Sequence, residues 1–540
     1  MDNHEVMPGA AVTESVSTAT INKPFAIFLG ITCVLCGALI MVVEVLGSRV
    51  IGPFFGVSLF VWTSLITVTL LALAIGYAVG GYFSDRYFSP KYLYAVILIA
   101  SVFVLWVPLV KGVVLKACLP LGLRWGAFAS TLILFGPSLF LLGCVSPYLA
   151  KIATRQMQNL GTTVGGLYAL STIGSTAGTV LTGFVLIAYL GVSNIFTLVG
   201  VLLIVLSVSY FVLFEKRYWT VVFLLMPLIN LTGAEPKEKT LADGTKVSTV
   251  FHAETYYGEI KVLDYSYEPH HIRELLIDGM IQGGMDMNNH LSIFDYSYYL
   301  QYLTYMNNPK AGSCLVFGVG MGAIVNWYNQ QGINCDIVDI DPEVIKVAQQ
   351  YFGLQTQGEV AADDARYFLE KNQKQYDIVV LDVFTGDITP SHLLSLEALQ
   401  QVKRGLASDG VLGVNIIGSL KQQNYMTASV IHTLKQVFRQ VELYPAFDVQ
   451  SGDGVGNLIL LAYEGEPRTL TQPRADQIQI HPRISARIRH NLGKRYDFPA
   501  GTRAMVISDE YNPIDFYDSW LRELNRSRVI RVTDWDVLLG

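Results

Sequence analysis

Apolar positions form long unbroken runs through the N-terminal part of the chain and short alternating ones after it. From Gln156 to Phe214 there is no Asp, Glu, Lys or Arg, a pattern at home in lipid. Runs of the roughly 20 apolar residues that a helix needs to cross a bilayer occur at 25–46, 56–83, 93–115, 125–148, 164–190 and 194–214. They predict six spanning helices. A seventh run, 218–233, has only 16 residues and is expected to lie in the interface or to re-enter. From about residue 236 the pattern changes. Residues 247–263 and 272–282 alternate about the polar turn Ser266–His271, which predicts a small antiparallel sheet. Strand and helix then succeed each other: a strand at Cys314–Phe317, a helix at 322–331, a strand at Cys335–Ile340, a helix at 342–351 and a strand at Ile378–Asp382. That order predicts a parallel, doubly wound sheet. The expected organisation is a polar tail (1–24), an all-α polytopic membrane bundle (25–235), a small antiparallel β-domain (236–290) and a Rossmann-like α/β domain with a C-terminal extension (291–540).

Composition supports this division. Charged residues make up 15% and hydrophobic residues 51% of the 540, where soluble domains carry roughly 25% charged residues. Mean hydropathy is +0.39. A wholly soluble protein is excluded, and the lipid bilayer becomes a partner. The net charge of −6 offers no basic excess for a polyanion, so nucleic acid is not an expected partner. The six cysteines are scattered, four of them in apolar stretches, and predict neither a disulfide framework nor a metal site. The first 24 residues hold one lysine and no compact cationic start, unlike a cleaved signal peptide, so the first span is expected to be retained. Within the spans, Gly76 with Gly80 and Gly174 with Gly178 have the spacing that lets helix backbones approach. Glu44 is the one carboxylate well inside a span, with Arg49 about one turn on as its expected partner.

Candidate chemistry lies in the second half. Gly318-Val-Gly-Met-Gly322 follows a strand and opens a helix, where glycines permit a tight turn and close approach of a ligand. Asp339 ends the next strand, at the place of a carboxylate that holds a ribose diol. Asp363-Asp364 follows the third strand position and Asp382 ends the fourth. Acids after three successive strands suit an adenosyl sulfonium better than a diphosphate, which they would repel.

Further motifs flank these strands: Glu254-Thr-Tyr-Tyr-Gly-Glu-Ile-Lys-Val, then Arg273-Glu-Leu-Leu-Ile-Asp278-Gly279-Met-Ile-Gln282, then Tyr298. With them, residues 250 to 420 resemble the spermidine synthase (polyamine aminopropyltransferase) family. Val61-Trp62, Gly80-Gly81-Tyr-Phe-Ser-Asp85-Arg86 and Asp382-Val-Phe-Thr-Gly-Asp387-Ile-Thr-Pro390-Ser-His392 are similar to its membrane-fused branch. The resemblance implies a sheet of the S-adenosylmethionine-dependent transferase type. It implies that Gly318, Gly320, Gly322, Asp339 and Asp364 bind the nucleoside, that Asp382 receives a proton from the attacking amine, and that Gln282, Tyr298 and Asp387 line the amine side. It also implies a small-molecule amine substrate and decarboxylated S-adenosylmethionine as a co-substrate rather than a tightly bound cofactor. Two positions depart from the family: Met321 stands where soluble members carry an acid in the glycine loop, and Thr385 stands where they carry a second acid after the catalytic one. Met321 is expected to face the donor's tail.

Three readings follow. The first is an inner-membrane aminopropyltransferase, the second a methyltransferase using S-adenosylmethionine, and the third a transporter or sensor whose soluble half only binds a nucleoside. A homo-oligomer is compatible with each. With the N-terminus inside, Lys23, Arg86, Lys91, Lys151, Arg155, Lys216 and Arg217 fall on the inner side, against Arg49, Lys111, Lys116 and Arg124 outside. Six spans then put the soluble domain in the cytoplasm as well, whereas a true seventh span at 218–233 would put it outside; the six-span arrangement is the expectation.

Overall fold

The structure is a computed structural model that describes residues 23–56, 59–154, 160–232, 238–384, 389–421, 423–450, 452–471, 478–499 and 501–532. Asp387 and Thr385 lie outside the described residues. The chain begins with α1 (Lys23–Phe55), α2 (Leu59–Arg86), α3 (Pro90–Cys118), α4 (Gly122–Gly143), the short α5 (Val145–Thr154) and α6 (Leu160–Leu181), which continues through a π-helical turn into α7 (Ile187–Tyr189). Next come α8 (Val192–Leu213) and a 3-10 helix over Tyr218–Thr232. Five helical stretches are long and apolar enough to cross a membrane. One of them, Pro90–Thr154, is 65 residues long and folds back on itself at Leu119–Leu121, so that α3 and α4 pack as a hairpin.

Small residues bring the helices together as their spacing predicts. A Cβ on Gly174 would stand 2.1 Å from the Val34 carbonyl and one on Gly178 2.4 Å from that of Ala38, so α6 rides directly on the backbone of α1. Gly76 and Gly80 do the same against Phe140 and Cys144, with 2.4 and 2.5 Å. The expected Glu44–Arg49 pair does not form among the described residues. Arg49 turns outward and donates to the Tyr256 carbonyl of the α/β domain instead.

The 3-10 helix after α8 does not lie across the end of the bundle; it returns along α8. Phe223 and Met226 pack with Ile204 and Val208, and the Asn230 amide donates to Thr197 at 2.9 Å. A 3-10 helix rises about 2.0 Å per residue, against 1.5 Å for an α-helix, so these 15 residues cover about 30 Å. Among the described residues the chain therefore runs along the bundle seven times. Lys23, the Asp85–Lys151 ion pair and Glu215 lie at one end. The α/β domain lies at the other, against Gly52–Pro53, Phe184 and Val192. Lys23 and the α/β domain are therefore at opposite ends of the bundle.

The α/β domain opens with β1 (Glu238–Thr240), β2 (Lys246–Glu254), β3 (Glu259–Tyr267), β4 (His270–Ile277), β5 (Met280–Asp286) and β6 (Leu291–Ser292), an antiparallel sheet in sequence order. Then follow α9 (Asp295–Asn307), β7 (Ser313–Phe317), α10 (Ala323–Gln330), β8 (Asn334–Asp339), α11 (Pro342–Phe352), β9 (Val360–Ala362), α12 (Ala365–Lys371) and β10 (Tyr376–Leu381). The remainder comprises α13 (Leu396–Arg404), β11 (Leu406–Ser419), α14 (Tyr425–Val437), β12 (Gln440–Pro445), β13 (Val455–Tyr463), α15 (Pro482–Asn491), α16 (Ile514–Tyr517) and α17 (Ser519–Val532). The second sheet runs β12-β13-β11-β10-β7-β8-β9, parallel from β11 to β9, with β13 antiparallel to its neighbours. Apolar clusters fill both of its faces. Strand order reverses between β7 and β10, and the crevice at the carboxyl ends of such strands is where open α/β sheets bind ligands.

Candidate active site

A cavity of about 250 Å³ opens at that crevice. Its nucleoside-side wall is made by the turn after β7 and the ends of β8 and β9. Gly318 has φ +81°, and a Cβ there would meet the Asp382 carbonyl at 2.2 Å, so only glycine lets β7 and β10 end side by side. Gly320, at φ +52°, has open space where its Cβ would be and leaves the loop backbone accessible to a ligand. Gly322 packs on Leu354 and does not line the cavity.

Asp339 accepts from the Val319 amide at 2.9 Å and from the Asp341 amide at 3.0 Å, which fixes its carboxylate at the rim. Burial pushes it up to about 6 despite these bonds. Asp364 caps α12, accepting from Arg366 at 2.9 Å and Tyr367 at 3.1 Å through one oxygen, and lines the cavity beside Asp363.

The opposite wall comes from the β4–β5 hairpin, α9 and the segment after β10, which supply Ile277, Asp278, Gln282, Tyr296, Phe384 and Leu393. Asp382 stands between the two walls. Burial at the cleft floor raises its pKa from an ordinary 3.8 to about 6, opposed by a hydrogen bond that the Asn415 amide donates at 2.8 Å. Asn457 donates in turn to the Asn415 side-chain oxygen at 3.1 Å, so the orientation of the Asn415 amide is set. A carboxylate tuned toward neutrality in a closed pocket is suited to accept a proton at physiological pH.

The structure thus brings Gly318, Gly320, Asp339, Asp364, Asp382 and Gln282 to one cavity. It does not bring Tyr298. Two residues along a helix amount to a turn of about 200°, so Tyr298 faces the core, donating to the Ser292 carbonyl at 2.7 Å. Tyr296 lines the cleft in its place and donates to the Gln282 carbonyl at 2.9 Å. Met321 also departs from expectation. Its side chain is buried among Ile260, Leu275, Met285 and Val344, against Gly283, and clamps the small sheet to α11 rather than facing a ligand. Asn415 and Asn457 escaped the sequence reading, since nothing in their local sequence sets them apart, and Tyr257 entered it only as part of a motif, with no role assigned. Tyr296 carried no signal that separates it from Tyr298, two residues on.

The hairpin wall is seated on the bundle. A Cβ on Gly279 would stand 2.9 Å from the Pro53 carbonyl. Arg526 of α17, 1% exposed, donates to the carbonyls of Gly52 at 3.2 Å, Pro53 at 2.7 Å and Asp278 at 3.4 Å. It ties the open carbonyl end of α1 to the turn that lines the cleft. Glu254 accepts from the Val192 amide at 2.8 and 2.9 Å, an anion at the N-terminus of α8.

Comparison with known proteins places this geometry. Residues 294–447 match the spermine/spermidine synthase domain. A polyamine aminopropyltransferase of Vibrio vulnificus is 36% identical over 229 residues, covering 38% of this chain and 70% of that protein. An N-terminal histidine N-methyltransferase of Emericella nidulans is 35% identical over 172 residues, which span 30% of each chain. Among solved structures, a probable spermidine synthase from Corynebacterium glutamicum superposes with a TM-score of 0.40 at 19% identity, over 47% of this chain and 95% of that one.

Proposed function

The chain belongs to the spermine/spermidine synthase family, and from that premise we propose that it is a membrane-bound transferase moving an aminopropyl group from decarboxylated S-adenosylmethionine to an amine. The observation that carries this reading is Asp382, set between the nucleoside-side acids and the hairpin wall and tuned to about 6. Asp339 would hold the ribose hydroxyls, Asp364 the adenine edge, and Gly318 and Gly320 would let the loop backbone approach the sulfonium. Gln282 and Tyr296 would shape the amine side; Asp387, outside the described residues, remains part of the proposed amine pocket. The amine must be neutral and in line with the carbon–sulfur bond, and a carboxylate at that point supplies the first requirement while the walls supply the second.

One observation favours a second reading, a methyltransferase: with Met321 in the core, the glycine loop carries no acid to grip an ammonium tail. Incubation with each labelled donor and a panel of amines decides between them. Methylthioadenosine as product supports aminopropyl transfer, whereas S-adenosylhomocysteine supports methyl transfer. We place the protein in the inner membrane with its cleft in the cytoplasm, where adenosyl donors are made. Because Lys23 and the cleft lie at opposite ends of the bundle, this puts Lys23 outside, against the cationic excess at that end. Reporters fused to both termini test it: a fluorescent protein after Gly540 should glow, and a phosphatase at the N-terminus should be active. The reverse pair overturns the placement.

A further inference from the structure

Six aspartates line the cleft, Asp278, Asp339, Asp341, Asp363, Asp364 and Asp382, and no lysine or arginine stands among its described lining residues. The four residues between Phe384 and Thr389 add Asp387 and no cation. A positive group buried in this cleft needs a carboxylate as its partner, and five of the six acids are placed for the donor or for the reaction. Asp339, Asp341, Asp363 and Asp364 end or follow β8 and β9, on the nucleoside side, and Asp382 stands where the walls meet. Asp278 alone of the six belongs to the amine-side wall.

Asp278 and Gly279 form the two-residue loop of the β4–β5 hairpin, between the paired Ile277 and Met280, with φ of +49° and +70°. One carboxylate oxygen, Oδ1, accepts from the Glu259 amide at 3.0 Å, which fixes the side chain. The other, Oδ2, accepts no hydrogen bond among the described residues. A Cβ on Gly258 would stand 2.9 Å from it, so only a glycine in the β2–β3 turn leaves this oxygen uncovered. Burial raises the pKa of Asp278, while the Glu259 amide, Arg49 of α1 and Arg526 of α17 act against that rise. The bundle also fixes where the carboxylate stands: Gly279 abuts Pro53, and Arg526 donates to the Asp278 carbonyl at 3.4 Å.

We propose that Asp278 determines acceptor specificity, its open Oδ2 receiving the second ammonium of a diamine whose first nitrogen attacks the donor. The proposal rests on the aminopropyl reading. The first nitrogen is neutral, and its lone pair attacks the aminopropyl carbon beside the sulfonium. The carbon–nitrogen bond forms as the carbon–sulfur bond breaks, the bonding pair passes to sulfur to give neutral methylthioadenosine, and the proton lost by nitrogen goes to the Asp382 carboxylate. The second nitrogen stays protonated throughout, so its contact with Asp278 holds the chain before and after transfer. A monoamine of the same length meets the same apolar wall and lacks that contact.

The test uses the full-length protein in phosphatidylcholine vesicles with decarboxylated S-adenosylmethionine, and measures methylthioadenosine release. Putrescine is compared with butylamine, and cadaverine with pentylamine. The expected result is a kcat/KM about tenfold or more higher for at least one diamine than for its monoamine, the range of a hydrogen bond to a charged group. Asp278→Asn should remove most of that ratio. The amide can still accept from Glu259, and Asn-Gly is a favoured pair for this kind of loop, so the hairpin keeps its shape; an unchanged melting temperature checks this. A ratio near one in the unsubstituted protein, or one that survives Asp278→Asn, overturns the proposal and leaves the aminopropyl reading standing. An equal loss with both amines and a raised KM for the donor would place the donor's own ammonium at Asp278, which also overturns it. A ratio lost in Asp387→Asn and kept in Asp278→Asn moves the contact to the segment after β10. No methylthioadenosine with any amine overturns the proposal and the aminopropyl reading together.

Discussion

The two walls of the cleft are built by different means. The nucleoside side is local: loop glycines and strand-end acids, each within a few residues of the strand that positions it, hold one another through Val319, Asp339 and Asp341. The amine side is assembled from distant parts. Its hairpin depends on α1 and on Arg526, which lies 248 residues beyond Asp278, and its tyrosine depends on the facing of α9. The first wall would keep its shape in many sheets of this type, whereas the second exists only because the domain is docked on the bundle. Donor recognition and acceptor recognition should therefore fail separately.

The largest effect is expected at the point where the walls meet. Asp382→Asn should lower amine transfer about 10²- to 10⁴-fold, the usual range for a lost general base, with methylthioadenosine affinity nearly unchanged by calorimetry. Substantial residual turnover would make Asp382 structural. The same variant should be more stable at neutral pH. With its pKa raised from 3.8 to about 6, the folded state binds the proton more tightly than the unfolded state, so stability falls as pH rises through that window. The cost is absent below about pH 4 and complete above about 6, where it approaches 3 kcal/mol. A melting temperature that rises at pH 7.5 and not at pH 4 checks the sign.

Next in size, Asp339→Ala should weaken methylthioadenosine binding about 10- to 100-fold, given roughly 1.5–3 kcal/mol for a hydrogen bond to a charged group, and should leave the acceptor KM largely intact. Arg526→Gln should do the opposite, raising the acceptor KM about tenfold while nucleoside affinity changes less than twofold. Equal losses on both sides would show that the walls are one unit. The smallest effect is at Asn415. Its donated bond lowers the pKa of Asp382, so Asn415→Ala should shift the acid limb of kcat/KM upward by about one pH unit. A limb that stays in place would assign it to another group.

This contrast also explains what the sequence revealed. The parallel sheet, the hairpin sheet and the acids at Asp339, Asp364 and Asp382 were legible because each follows from a short pattern: apolar alternation, a glycine turn, an acid where a strand ends. Tyr298 rather than Tyr296 is the sequence expectation because the choice depends on how α9 is rotated against the sheet, which two tyrosines separated by one serine do not reveal. Met321 was assigned to the cavity because the loop position resembles a ligand contact, but Gly283, 38 residues earlier, leaves the space that its side chain fills. The course of 218–232 along α8 is not legible from residue count, because a 3-10 helix rises further per residue than an α-helix. Gly174 and Gly178 were read correctly because close backbone approach needs small residues at a fixed interval.

The placement of Lys23 and the α/β domain at opposite ends of the bundle has a practical consequence. In a sealed vesicle holding the protein in one orientation across the bilayer, an amine-reactive reagent that cannot cross lipid would reach either Lys23 or Lys374, an exposed lysine of the α/β domain, from a given side, but not both. Labelling of the one and of the other would then be mutually exclusive observations, and their pattern would report which way the chain was inserted without altering a residue.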